Sequence, residues 1–570
     1  MINRVPHHKQ RKGKPHALLA EEVGFYRKHW GGKIRVGLVF PNSYYVGMSN
    51  LGFQTVYHLI NQNENFVCER FFVSDQSLGN TTPLSIESGE PPARFQILAF
   101  SISFENDYLN VLSFLDAARV PKLREKRTKH DPLILAGGAA ITINPEALAD
   151  FLDLCILGEA EEILPVLLKS AAEININRWE KEAFLEAVRS SAGCYQPAGY
   201  VFSYHAQGTI AKMKTRSGYP QVIEPGRPED ISLYPTNSRV LTPHTEFGQH
   251  FLIEVSRGCA KRCRFCYSGW GVTPLRIRQK KVLLSQVDGA LEIFKKAEKK
   301  VVIGLIGSSL SDCSYIAEIM DYILTRGGQF SLSSIPLEFL KDSNLDRLVA
   351  SPIKSITLAP EAGTQRLRAM INKKWDDELF LDSLPALWQR KIFKIRLYFM
   401  IGLPKENNDD VRAIVQFVKK ISHLQRVHFG QRSNVHIHVS INTFIPKPHT
   451  PFQWSTMISL RSIQSRIKLI RKELQSEKGI NVTHDVAKWA RIQGLIARAD
   501  RRVAPLLMAL NQCGGNIHSA ISQVNINPDF YLNRSHHPEE LLPWDHLTVP
   551  DEKTILLKHY QKSLVKTHPD

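Results

Sequence analysis

The sequence has no apolar run approaching the ~20 residues that a membrane span needs, no internal repeat and no long low-complexity tract. A helical membrane protein, a solenoid and a disordered chain are therefore not expected. The first residues, "MINRVPHHKQRKGKPHALL", are basic but lack an apolar core and a cleavage-like site, so no secretory signal is expected either. Cysteine is scarce, with 8 in 570 residues, and Cys68, Cys155, Cys194, Cys313 and Cys513 stand singly. That spacing excludes a disulfide framework and predicts reduced thiols in a cytoplasmic protein. Acidic residues are also in deficit, 55 against 73 Lys and Arg, which leaves a formal charge of +18. Such a charge favours polyanions, RNA among them. Yet the basic runs "RKGK", "KLREKRTKH", "RQKK" and "KKAEKK" are dispersed, and none is interleaved with aromatics as a base-stacking platform would be. Solvated helix faces explain them equally well.

The length suits roughly three or four domains, and the apolar pattern divides accordingly. In residues 32–165, "KIRVGLVF", "FQILAFSIS", "PLILAGG" and "LDLCILGEAEE" read as strands, separated by helix-like "NLGFQTVYHLINQ" and "ENDYLNVLSFLDAARV". Continuous apolar strands between helices predict a parallel sheet covered on both faces, a doubly wound Rossmann-like α/β domain. Its ligand edge is expected beyond the strand ends, at "PNSYYVGMSNLG", "SFEND", "GGAAITINPE" and "GEAEE". Residues 166–250 form a weaker region, with a hairpin at "YVFSYHAQGTIAKMK" and a proline-marked linker at "SLYPTNSRVLTPHTEFG".

In residues 251–454 six strand-like segments alternate with helices: "HFLIEVSRG", "KVVIGLIG", "QFSLSSI", "SITLAPEAG", "FKIRLYFMIG" and "VHIHVSINTFIP". They predict a (βα)6 partial TIM barrel, and the residues that look chemical fall just after its strands, where such barrels build their sites. Residues 455–570 read as a helical C-terminal region, "RSIQSRIKLIRKEL" and "VAKWARIQGLIARADRRVAPLLMAL", with a polar tail containing "LLPWDHL".

After the first barrel strand comes "EVSRGCAKRCRFCYSGW", with Cys259, Cys263 and Cys266 inside one short loop. A disulfide uses two thiols, and a tetrahedral zinc would need a fourth ligand, for which Cys313 or His250 is available. Three thiolates from one loop suit an iron–sulfur cube with one iron left free. The neighbouring Arg257, Lys261, Arg262 and Arg264 are expected to favour deprotonation.

This C-x3-C-x2-C spacing, with the aromatic Phe265 before the third cysteine, resembles the radical S-adenosylmethionine (SAM) superfamily. The resemblance implies a 4Fe-4S cluster on Cys259, Cys263 and Cys266, with SAM on the fourth iron. It also implies reductive cleavage of SAM to methionine and a 5′-deoxyadenosyl radical, driven by an electron donor of flavodoxin or ferredoxin type. "GLIGSSLSD" matches the segment that holds the SAM amino group, with Gly307 and Ser308 (then Ser309) in place of the usual Gly-Gly-Glu. Glu361 of "APEAGTQRLR" matches the acidic residue for the ribose hydroxyls, or alternatively caps the following helix. "MIGLPKE" resembles the adenine-side motif, with Gly402, Leu403, Pro404 and Glu406. "FIPKPHTPF" is similar to the exit segment of methylthiotransferase-type members.

The first region resembles the cobalamin (B12)-binding domain that precedes the barrel in one branch of the superfamily. That likeness implies a ligand edge using Asn42, Ser43, Tyr44, Gly137, Gly138 and Glu159. The branch's D-x-H-x-x-G motif is absent, so cobalamin would lack a protein imidazole below cobalt, or the fold persists without it. Together with "ARADRRV" and "LPWDHL", the whole chain resembles radical SAM proteins with a cobalamin-domain-like N-terminus and no assigned reaction. The substrate stays open. Methyl or methylthio transfer to RNA or a ribosome-associated substrate is one reading, and chemistry on a small molecule or lipid another. A non-catalytic iron–sulfur or zinc scaffold is a third. No catalytic residue beyond the cofactor ligands stands out.

Overall fold

The computed structural model describes residues 15–73, 81–174, 179–296, 301–430 and 435–565. "RKGK" and most of "KKAEKK" lie outside them. Strands β1 (Ile34–Phe40), β2 (Phe66–Phe72), β3 (Ile97–Ser101), β4 (Leu133–Gly137) and β5 (Leu154–Ile156) form a parallel sheet in the order β2-β1-β3-β4-β5. A short antiparallel strand, β6 (Cys194–Tyr195), closes its edge from within the segment expected as linker.

Period-two alternation sends successive side chains to opposite faces. Ile97 and Ala99 join one core with Val36, Leu38 and the helices Leu51–Gln62 and Ala160–Glu173. Leu98 and Phe100 join the other with Ile134, Ala136 and helix Asp107–Ala117. Both faces are covered, as the sequence predicts for a doubly wound domain.

The sequence reading misses β2. Its centre, Glu69-Arg70, looks incompatible with a core strand, yet both side chains are buried. Arg70 is matched from two distant points, Glu22 at 2.6 Å and Glu87 at 2.6 Å. A buried guanidinium is tolerated because its charge is paired and its donors are used.

Strands β7 (Tyr200–Tyr204) and β8 (Ile210–Thr215) make the expected hairpin. The barrel begins at β9 (Phe251–Glu254). The antiparallel pair β10 (Ser256–Arg257) and β11 (Arg276–Ile277) follows, and then come β12 (Val302–Ile306) and β13 (Gln329–Leu332). Strands β14 (Ser355–Glu361), β15 (Lys394–Ile401) and β16 (His436–Thr443) complete the six. They pair in parallel as β13-β12-β9 and β14-β15-β16, and the Ile335 N–H to Thr357 O bond at 2.9 Å links the two groups. A seventh parallel strand, β17 (Ile480–His484), extends the sheet from a stretch expected to be helical.

The rest of the C-terminal region is helical and clamps the two domains together. "ARADRRV" is part of that clamp. Arg501 pairs with buried Glu146 of the β4 loop at 2.9 Å, and Asn144 donates to Ala499 O at 2.9 Å. Among the described residues no helix is long and apolar enough to cross a membrane.

Candidate active site

The cysteine loop leaves and re-enters the barrel through the β10–β11 ribbon. Gly258 is required at its start. Its φ is +82°, and a Cβ there would lie 2.4 Å from Val272 O. The loop is then fixed from several directions. Arg264 N–H donates to Ile371 O at 2.9 Å, Asn372 donates to Arg262 O at 2.9 Å, and Trp270 Nε1–H donates to Cys263 O at 2.9 Å. All three cysteines are free thiols and partly exposed.

For Cys259 and Cys263 protonation differs from the sequence expectation. Burial pushes the Cys263 thiol up to about 12, opposed by Lys373 and reinforced by Cys266 and Glu361. Burial raises Cys259 as well. The neighbouring cations do not counter this because most are committed elsewhere. Arg257 pairs with Glu159, Glu161 and Glu254, and Lys261 pairs with Glu338 and Asp312. Arg264 donates to Met370 O at 2.5 Å, and Arg262 stacks over Trp270. Deprotonation would have to come from a bound metal.

Neither proposed fourth zinc ligand joins the loop. Cys313 is buried, and His250 Nδ1 lies 3.2 Å from Ser331 Oγ. Among the described residues no three His, Cys, Asp or Glu side chains converge as a single ion requires.

The barrel motifs gather around this loop. Phe265 packs on a buried apolar cluster that includes Ala362, Met400, Leu403, Phe444 and Phe452. Four motifs distant in sequence thus share one apolar floor. Gly402 has φ +88°, and its N–H donates to Glu406 at 2.6 Å. Pro404 follows Leu403 in the same turn. Glu406 is taken up internally by Arg466, and burial raises its carboxyl to about 7 against that arginine's pull. Gly307 follows β12, where a Cβ would come 2.8 Å from Ser256 Oγ, a buried hydroxyl with no hydrogen-bond partner among the described residues. Ser308 is next in that turn, and Ser309 Oγ lies 3.2 Å from Ser311 Oγ.

Glu361 does not cap the next helix. Thr364 does, accepting from Leu367 N–H. Glu361 instead ends β14 with φ +69°, a strained conformation for a non-glycine residue and a feature concentrated at functional sites. Its carboxylate accepts no hydrogen bond among the described residues, and its charged neighbour is Lys373 at 3.8 Å. Burial raises the carboxyl to about 7, partly offset by Lys373.

The sign of the consequence is definite. Between the ordinary carboxylate range and about 7, the folded protein keeps a proton that the unfolded chain has released, so wild-type stability falls as pH rises through that window. Glu361→Gln should therefore gain on wild type by about 2 kcal/mol between pH 5 and pH 8 in ligand-free urea unfolding. A difference independent of pH would place the carboxylate in solvent.

The residues expected on the cobalamin side divide. Asn42 donates to Asp107 at 2.9 Å, Ser43 caps the short helix that follows it, and Tyr44 bonds Glu22 and stacks on Phe72. All three are thus engaged in internal contacts. Gly138, with φ +104°, is needed by the fold itself, since a Cβ there would sit 2.6 Å from Ile102 O.

Gly137, Gly138 and Glu159 do line a cavity of about 410 Å³. Its floor is apolar, between the sheet (Val36, Leu38, Ile97) and the helices Leu51–Gln62 and Ala160–Glu173. Its other end reaches Ala139, Arg257 and the cysteine-loop residues Tyr267, Gly271 and Val272.

One component is missed by the sequence reading, which takes this stretch as a polar tail. Helix Glu552–Leu564 lies across the cysteine loop: His559 packs edge-on to Trp270 at 4.6 Å, and Tyr560 packs on Trp454 at 5.5 Å. "LPWDHL" supports it, with Leu542 and Trp544 in the same buried cluster as Trp270. The Leu556, Leu557 and Tyr560 spacing was the available signal.

A barrel with three free thiols behind its first strand agrees with the family comparisons. Residues 253–418 match the model of the radical SAM superfamily, and residues 52–197 match that of the N-terminal region of radical SAM proteins. The chain is a radical SAM protein and an enzyme of that class. It is 25% identical over 472 residues to the uncharacterized protein MJ0966 of Methanocaldococcus jannaschii, covering 83% of this chain and 90% of that one. Among solved structures it is similar to the radical SAM methyltransferase TsrM of Kitasatospora setae with cobalamin and a [4Fe-4S] cluster bound. That match has TM-score 0.49 and 14% identity, covering 74% of each chain. It is also similar to the cobalamin-dependent radical SAM enzyme OxsB with aqua-cobalamin and SAM bound (TM-score 0.43, 14% identity, 93% of this chain and 72% of that one).

Proposed function

We propose that the enzyme holds a 4Fe-4S cluster on Cys259, Cys263 and Cys266 and cleaves SAM reductively. The observation that carries this is the set of three free thiols on one braced loop, facing a strained carboxylate at Glu361 that accepts no hydrogen bond among the described residues and has Lys373 as its charged neighbour. The donor set fits: it is thiol-only, comes from one loop and does not converge on a single ion. When bound, the cluster and SAM supply one-electron cleavage of the C5′–S bond, giving methionine and a 5′-deoxyadenosyl radical.

The chain's own residues orient and enclose. Gly307 and Ser308 offer backbone groups beside the unpartnered Ser256 hydroxyl. Glu361 accepts ribose hydroxyls in charge-assisted bonds. Phe265, Leu403 and Pro404 present the apolar side for the adenine, with Gly402 leaving the backbone open. Helix Glu552–Leu564 excludes water from the loop. All eight cysteines are unpaired, which suits the reducing cytoplasm and an electron donor of flavodoxin or ferredoxin type. The test is release of 5′-deoxyadenosine from SAM by anaerobically reconstituted protein with dithionite. Its absence from cluster-loaded protein refutes the reading.

The cavity favours a second component. It lies at the ends of β3 and β4, beside the point where the strand order reverses, and its apolar floor suits a large, flat organic ligand better than an RNA strand. Cobalamin fits this chemistry, with a small molecule or lipid as the methyl or methylthio acceptor in place of RNA. With no imidazole from a D-x-H-x-x-G motif, the cobalamin should show a base-off spectrum. Ala139 is exposed at the cavity mouth and, unlike Gly138, tolerates a larger side chain. Ala139→Trp should abolish the hydroxocobalamin spectral change while leaving iron content intact. No spectral change with wild-type protein would leave the sheet domain as a scaffold without cobalamin.

A further inference from the structure

A cluster on the cysteine loop has to be reduced from outside, and the covering helix Glu552–Leu564 carries a patch with the right character. After Glu552 the helix has no acidic residue. Ile555, Lys558, Lys562 and Val565 fall on one face at helical spacing, and all four are exposed, Ile555 by 46% and Val565 by 70%. Exposed Arg262 of the cysteine loop adds a third cation beside them. Arg264, Lys562, Arg262 and Lys558 all act on His559, which sets these charges around one point. Among the described residues neither Lys558, Lys562 nor Arg262 has an ion-pair partner, although most other cations near the loop do. Cations left unpaired around two exposed apolar side chains form a surface complementary to an acidic protein.

The patch also connects to the thiols through packed side chains. His559 packs on the Trp270 ring at 4.6 Å, and Trp270 Nε1–H donates to the Cys263 carbonyl at 2.9 Å. A carrier docked on the helix therefore stands one aromatic pair away from a cluster ligand.

We propose that the outer face of helix Glu552–Leu564, with Arg262, is the docking surface for an acidic one-electron carrier protein of flavodoxin or ferredoxin type. The carrier is oxidised by one electron and the cluster is reduced by one, with the electron entering beside Trp270 and Cys263. This rests on the cluster reading above. Charge complementarity selects the protein carrier over a neutral partner, and the exposed isoleucine and valine select it over RNA, which has no use for an apolar stripe.

The test compares the full-length wild type with Lys558→Glu/Lys562→Glu, both reconstituted anaerobically, using bacterial flavodoxin as the probe. Both lysines are exposed and outside the cofactor site, so iron content and dithionite-driven release of 5′-deoxyadenosine should be unchanged. Flavodoxin binding should weaken by about tenfold or more and lose its salt dependence. The rate with reduced flavodoxin should fall by a similar factor. Equal flavodoxin affinity in the two proteins overturns the proposal while leaving the cluster reading in place. So does a preference of the patch for single-stranded RNA, lost on the same double substitution. A variant that also loses dithionite-driven cleavage makes the helix part of the cluster enclosure, not a docking face. If the wild type holds no iron, both the cluster reading and this proposal fall together.

Discussion

Alanine at any one of Cys259, Cys263 or Cys266 should abolish the proposed cluster. The expected wild-type result is brown protein with about four irons per chain after anaerobic reconstitution, falling close to none in each variant. Each thiolate is one of three proposed anchors from a single loop. Cys313 is buried in the barrel wall, and among the described residues no group of His, Cys, Asp or Glu side chains able to hold an ion forms with the loop. The burial that raises Cys263 to about 12 sharpens the effect, since a partial ligand set holds metal too weakly to displace that thiol's proton. The loop's own bracing, from Ile371, Asn372 and Trp270, does not depend on the thiols, so the variants should remain folded by circular dichroism. Colourless wild-type protein with one tightly bound zinc would end the radical reading.

Arg257→Ala should be the most destabilising single change outside the cores, by about 3–5 kcal/mol in the first urea transition. Arg257, Arg276 and Arg278 face Glu159, Glu161 and Glu254 in a balanced network at the junction of the sheet domain and the barrel. Arg257 reaches Glu159 at 2.6 Å, Glu161 at 2.5 Å and Glu254 at 2.9 Å, and Arg276 and Arg278 make further contacts at 2.5 Å. All six side chains are largely buried. Burial would raise the Glu254 carboxyl, but Arg257 and Arg278 hold it below the ordinary carboxylate range. Removing Arg257 leaves three carboxylates and two guanidiniums in a site that water reaches poorly. Because Arg257 lies two residues before Cys259 and lines the cavity, iron loading and cavity binding should suffer as well. Arg257→Lys keeps the charge but not the three-way fork, and should recover part of the loss. An unchanged urea midpoint would mean that the network is solvated and contributes little.

The chemistry of the cysteine loop is legible in the sequence because it is local. Three candidate ligands come from one stretch, and the loop's position after an apolar strand identifies the barrel edge. The six barrel strands and four sheet strands are legible for a related reason. Strands buried on both faces must be continuously apolar, and turn residues bound them on either side. Elements that violate that pattern were lost. Strand β2 carries Glu69-Arg70: Arg70 is paired by Glu22 and Glu87, and Glu69 accepts hydrogen bonds from Trp30, Ser85 and Ser88, all from elsewhere in the chain. Strand β17 is a polar edge strand with alternating exposure, so no apolar run announces it.

Tertiary structure alone decided the rest, because the deciding partners are far apart in sequence. The sequence could not show that Arg257 neutralises Glu159 and Glu161 instead of the thiols, since that depends on where helix Ala160–Glu173 begins relative to the barrel. It could not separate Gly138, a glycine because Ile102 O leaves no room for a Cβ, from Gly137, which merely faces a cavity. Nor could it show that Thr364 caps the helix and frees Glu361 for a ligand. The cover on the cysteine loop comes from Trp544, Tyr560 and His559, nearly three hundred residues downstream, and packs there because burying Trp270 removes apolar surface from water. Local covalent spacing determined which metal chemistry this protein can support. Long-range packing decided which charges surround it, what fills the space beside it and which face remains open to a partner.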